Sequence, residues 1–200
     1  MKALFYTLVW VAFLSLSLAA EAPNDTTIVF GERVGPIKPP MTLPGLKAAF
    51  GLKSLGGVRL DGPEGTTVDG IKIFPGTEKE LEVVLETVGQ DKWVSEVRIL
   101  GKAWKFSNGL KPGMTLAEAQ KINGKPFEVS GFDWDYGGYA NFEGGKLGFH
   151  VSVRFFPIGE SYSEKISGDV QVRSDDKTLL AAKQIVTAPI SVMFELPQPK

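Results

Sequence analysis

Apolar and polar residues alternate with a period of two at several places along the chain. From Leu147 to Phe155, the residues Leu147, Phe149, Val151, Val153 and Phe155 share one side of an extended backbone, and His150, Ser152 and Arg154 the other. Leu81, Val83 and Leu85 alternate with Glu80, Glu82 and Val84; Val97 and Ile99 flank Arg98, and Val170 and Val172 flank Gln171. Near the end, Ile190, Val192, Phe194 and Leu196 alternate with Ser191, Met193 and Glu195. One apolar and one polar face per strand predicts antiparallel sheet covered on one side.

A different period appears at two matching places. "MTLPGLKAAFG", Met41 to Gly51, and "MTLAEAQKING", Met114 to Gly124, share Met, Thr, Leu and a closing Gly at the same spacing. Each predicts a short helix, with Thr42 or Thr115 as N-cap and the glycine as a left-handed stop. Glu118, three residues after Thr115, completes a capping box. Pro44 falls in the first turn of the earlier helix, where proline is tolerated. "SDDKTLLAAK", Ser174 to Lys183, adds a third helical turn with Ser174 or Asp175 as its cap.

Such short helices have no core of their own, so they must cover the apolar face of the sheet. The expected fold class is α+β: two helix-plus-antiparallel-strand repeats forming one extended antiparallel sheet with helices on one face. The division predicted is residues 21–101 for the first repeat, 102–112 for a Gly, Asn and Pro-bearing connector, and 113–200 for the second.

"GLKPGMTLAEAQKINGKP", Gly109 to Pro126, resembles the helix signature of the β-lactamase inhibitor protein family and of the SmpA/OmlA outer-membrane assembly lipoproteins, and Gly35 to Gly51 is a degraded copy. The resemblance implies a small helical cover on an antiparallel sheet, in tandem for the inhibitor family. "NGKPF" followed by "GFDWDYGG" is also similar to a group of exported proteins to which no activity attaches. The assembly lipoproteins carry an N-terminal cysteine, and this chain has none. No inhibitor contact residue matches by motif, so the resemblance implies a fold and no site.

The first twenty residues modify this picture. Lys2, an apolar run from Ala3 to Leu18, then Ala19 and Ala20 make a secretory signal, residues 1–20, with cleavage expected after Ala20 or, as second choice, after Ala19. The run is short of the ~20 apolar residues of a comfortable span, so no membrane span is expected after cleavage, the alternative being an uncleaved anchor. Export with zero cysteines predicts a periplasmic or extracellular protein without disulfides, stabilised by burial alone. Removing Lys2 leaves the formal net charge one unit more negative than −1. That balance excludes an electrostatic case for nucleic acid. Partners are expected to be a protein or a glycan of the envelope.

The candidate chemistry concentrates in "GFDWDYGG", Gly131 to Gly138. Asp133 and Asp135 resemble the opening of a calcium loop, but Gly137 and Gly144 stand where further ligands belong, so no metal site is assigned. As a catalytic pair the two acids would lie on one face of one strand, whereas glycosidase carboxylates flank their substrate. No enzyme activity or cofactor is therefore assigned, and the chain reads as a binding module. Period two puts Phe132, Trp134 and Tyr136 on one face, with a register slip at Ser130 and Gly131 through a glycine β-bulge and a turn at Gly137 and Gly138. Rings beside carboxylates also hold sugars or a partner's ring, so Asp133, Trp134, Asp135 and Tyr136 are the candidate binding residues. His150, the single histidine, has no second metal ligand of its kind and is expected to face solvent. Trp93, Trp104 and Phe106 read as packing at a strand end. Asn24 opens a glycosylation sequon.

Overall fold

The structure, a computed structural model, describes residues 25–51, 57–159 and 162–198. Residues 1–20, read above as a signal, and Asn24 lie outside the described residues. In chain order the elements are β1 (Thr27–Val29), β2 (Arg33–Val34), α1 (Leu43–Ala49), β3 (Val58–Asp61), β4 (Thr67–Ile73), β5 (Leu81–Val88), β6 (Asp91–Ile99) and β7 (Lys105–Phe106). There follow α2 (Leu116–Asn123), β8 (Glu128–Ser130), β9 (Ala140–Asn141), β10 (Val151–Pro157), β11 (Gln171–Arg173), α3 (Lys177–Ala181) and β12 (Gln184–Met193).

The class is α+β with mostly antiparallel pairing, but the strands form three sheets instead of one extended sheet. The largest has six strands in the order β10-β12-β6-β5-β4-β3, so β12 carries the second half of the chain onto the first through β6. Two three-stranded sheets, β2-β1-β7 and β11-β8-β9, stand apart. The stretch expected as a connector contains β7, which pairs in parallel with β1 and ties residue 105 back to residue 27.

The two longer helices start as their sequences dictate. Thr42 accepts from Gly45 N at 3.3 Å, and Thr115 accepts from Glu118 N at 3.3 Å while Glu118 Oε2 accepts from Thr115 N at 2.7 Å. These bonds satisfy amides that an open helix end would leave without partners. Gly124 closes α2 in the left-handed conformation, φ 81°. The cap of α3 is Asp176, not Ser174 or Asp175; its carboxylate accepts from Thr178 N and Leu179 N. Ser174 is instead buried, donating to Gln120 Oε1 at 2.6 Å and accepting from Phe127 N at 3.0 Å.

Leu46 and Phe50 at α1, Leu116 and Ala119 of α2 and Leu179 of α3 enter one continuous core with Ile71, Val83, Val97, Ile190, Val192, Val153 and Phe155 of the large sheet. Helices and small sheets thus cover one face of the six-stranded sheet. Trp104 and Phe106 are buried in that core, as packing residues, and Trp104 Nε1 has no hydrogen-bond partner among the described residues. Among the described residues no helix is long and apolar enough to cross a membrane.

Two strand expectations need correction. The strand predicted from Leu147 begins only at Val151, because Gly148 turns the chain at φ 58° and swings Phe149 outward to 73% exposure. His150 therefore precedes the strand, half-buried, with its ring 4.3 Å from that of Phe149. "GFDWDYGG" is not a strand either. Only Phe132 makes a bridge, to Ser167, after which Asp133 adopts φ 66° and the chain turns through Gly138. Asp133, an L-residue at positive φ, leaves the extended region and the chain turns, so the expected bulge and alternation are lost.

Candidate ligand-binding groove

The face of the six-stranded sheet away from the core carries the polar half of each alternation. Cross-strand register sets Lys72, Glu82, Arg98, Ser191 and Ser152 in one row over five strands. Val84, Glu96 and Met193 make the next row. A register shift opposite Val84 and Leu85 leaves Ser95 as the extra residue of β6, which lets Val94 and Val97 both point into the core.

Over this floor stand two walls. One is the β3–β4 turn, Asp61 to Gly65; the other is the loop that holds Asp135, Tyr136 and Tyr139. A floor arginine fastens each. Arg98 donates from Nη1 to the Asp61 carbonyl at 2.6 Å and from Nε to Glu96 at 3.1 Å, with Glu82 at 3.7 Å. Arg154 donates from Nε to the Gly137 carbonyl at 2.6 Å and lies 5.5 Å from the centre of the Tyr139 ring. The walls meet where Tyr136 OH donates to Glu64 Oε1 at 2.7 Å. That carboxylate, then burial, then the charge of Asp135 hold the Tyr136 hydroxyl proton more tightly than usual. The groove between the walls, open to solvent, has a volume of about 910 Å³.

The four residues picked from the sequence separate. Asp135 and Tyr136 line the groove, and Tyr136 is 41% exposed. Asp133 points away from it, accepting from Ser167 Oγ at 2.7 Å and from Tyr162 OH. Those hydrogen bonds, Ser167's first, hold the Asp133 carboxyl below the usual carboxylate range, and they fix the loop to residues 162–167. Trp134 is half-buried, donates from Nε1 to the Gly131 carbonyl at 2.8 Å and packs edge-on against Tyr136 at 5.3 Å. Phe132 is buried and packs edge-on against Tyr162 at 5.2 Å. Asp133, Trp134 and Phe132 thus shape the loop, while Asp135 and Tyr136 are presented by it.

Glu64, Glu86, Arg98, Arg154, Tyr139 and Phe156 were not singled out from the sequence. Alternation marked Arg98 and Arg154 as outward-facing, but which strands become neighbours is not written in any one strand. The carboxylates of Glu86 and Asp135 make no hydrogen bond or ion pair among the described residues. Ser95, Ser152 and Ser191 bring hydroxyls to the floor. His150 does not line the groove but a smaller cavity of about 380 Å³ that adjoins it, sharing Met193, Phe194 and Leu196. The groove therefore offers hydroxyls, carboxylates and exposed rings for holding a ligand, without a histidine beside a serine to activate it. Among the described residues no group of His, Asp or Glu side chains converges to hold a metal ion.

No protein-family profile, curated protein or solved structure matches the chain.

Proposed function

We propose that the chain is an exported, non-catalytic binding protein of the cell envelope that holds its ligand in the groove over the six-stranded sheet. The observation that carries this reading is the bracing of the cavity: Arg98 and Arg154 each hold one wall, and Tyr136 to Glu64 joins the walls. A cavity preformed in this way binds without first ordering its own side chains. Export is supported by the charged, apolar and small-residue succession of the first twenty residues.

A glycan is the second reading, favoured by the exposed faces of Tyr136 and Tyr139 beside Asp135, since sugars pack their apolar faces on rings and hydrogen-bond to carboxylates.

The test compares the wild type with Ser152→Trp, which fills the groove from its floor. Both proteins are immobilised and exposed to envelope extract and to a glycan array. A molecule kept by the wild type and lost from the variant is expected; identical retention on both would overturn the groove as the binding site. Sequencing the N-terminus of the exported product should give Glu21 or Ala20, and a product that keeps Met1 would overturn cleavage.

A further inference from the structure

We infer that the groove takes an extended peptide segment presenting a Lys or Arg side chain, a reading that rests on the binding function just proposed. Five carboxylates line the cavity against two guanidiniums. Both guanidiniums are engaged: Arg98 with Asp61, Glu96 and Glu82, and Arg154 with Gly137 and the Tyr139 ring. The charge left to a ligand is therefore negative. Glu86 supplies it from the floor and Asp135 from the loop wall, neither of them paired among the described residues. An anionic ligand would meet these two carboxylates, whereas a cation is attracted by both.

The remaining lining selects the body that carries the cation. Tyr136 and Tyr139 expose 41% and 39% of their surface and Phe156 exposes 54%, large apolar areas that a hydrated metal ion or a bare polyamine leaves unused. Ring faces next to carboxylates suit an ammonium or guanidinium on an apolar stem, through cation–π attraction and stem packing. Ser152 and Ser191, hydroxyls on the floor, can serve peptide amides and carbonyls. At about 910 Å³ the cavity stands at the upper end of the ~300–1,000 Å³ typical of ligand sites, more than one amino acid requires.

Fluorescence anisotropy of a labelled peptide alternating Arg and Phe tests the inference, alongside the same peptide with Glu or with neutral citrulline for Arg, and spermine as competitor. The Arg peptide is expected to bind at least tenfold more tightly than either analogue at low salt, and to weaken as salt is added. Glu86→Gln with Asp135→Asn should reduce its affinity about threefold to tenfold, while Glu143→Gln, a charge removed outside the groove, leaves it unchanged. Circular dichroism establishes that the variants keep the fold. Equal binding of the Glu peptide, an unaffected double variant, spermine as tight as the peptide, or no binding of the Arg peptide would each overturn the inference. The Ser152→Trp comparison judges the binding reading separately, because a neutral glycan held in the groove would sustain that reading while removing this one.

Discussion

Replacing Gly138 with alanine should destabilise the protein by about 3 kcal/mol, and the figure can be built from two parts. Gly138 has φ 80°, a conformation that costs an L-residue about 1 kcal/mol. The added methyl would also fall well inside the 3.0 Å floor of real Cβ contacts, against the Phe155 carbonyl oxygen, with the Phe132 ring at 3.3 Å. That oxygen is backbone and cannot swing aside, so the loop must move. Gly138 N donates to Ser130 O at 2.9 Å and Gly138 O accepts from Phe155 N at 2.8 Å, and each bond disturbed removes about 1 kcal/mol. Gly148→Ala isolates the first part, because Gly148 has φ 58° with nothing within 4 Å of a methyl there, and should cost only about 1 kcal/mol. Urea unfolding followed by circular dichroism reads both, with the midpoint falling by roughly 1–2 M for Gly138→Ala at unchanged slope. Equal losses for the two variants would refute the idea that the loop is locked against β10.

Arg98→Ala should cost about 2 kcal/mol in the same urea experiment, since it strips the Asp61 carbonyl and leaves Glu96, at 17% exposure, without its guanidinium, while Glu82 keeps Lys72 at 3.0 Å; a loss under about 0.5 kcal/mol would mean the floor does not hold the wall. The Tyr162 hydroxyl is pushed up to about 12 by burial first and then by its hydrogen bond to the Asp133 carboxylate. The folded state therefore binds the phenolic proton more tightly than the unfolded one, and this contribution to stability is complete below pH ~10 and lost as pH rises through about 12. Absorbance at the tyrosinate band should show a late-titrating group that Tyr162→Phe removes, and the acid side mirrors it: Asp133, held low by Ser167 and Tyr162, stabilises above its unfolded value and stops doing so as pH falls through its folded one.

Local signals proved readable where a few neighbouring residues decide the outcome. The Thr115 and Glu118 box, the Gly124 stop and the Thr42 cap act within one helical turn, and each forms as its spacing implies. The alternations of β5 and β6 also hold, with the inward side of Leu81, Val83, Val97 and Ile99 buried. Where the reading went astray, a left-handed residue or a distant partner decided. The rings of Phe132, Trp134 and Tyr136 alternate without a break, yet Asp133 gains two side-chain donors from residues 162 and 167, and Trp134 gains the Gly131 carbonyl, only in a turn. Gly148 likewise interrupts an alternation that continues in the letters on both sides of it. The number of sheets was illegible for the same reason: β12 adds to β6, and β7 to β1, over separations at which strand sequence carries no pairing code.

Aligning Met41 with Met114 sets Val58 to Gly65 against Gly131 to Gly138, and these two segments provide the opposing walls of the groove. Each wall is held by an arginine of the floor through a backbone carbonyl, Asp61 on one side and Gly137 on the other. Their chemistry differs, since the first supplies Glu64 and the second supplies Tyr136, and a hydrogen bond needs one acceptor and one donor. Two identical walls bearing two carboxylates would repel, and two bearing only phenols would leave the mouth without charge. The difference in chemistry between the two walls is thus what permits them to join, and it puts carboxylates on both sides while placing rings on one side only. The cationic peptide segment proposed for the groove is oriented by that asymmetry, with its cation drawn toward Glu86 and Asp135 and its apolar body toward Tyr136 and Tyr139.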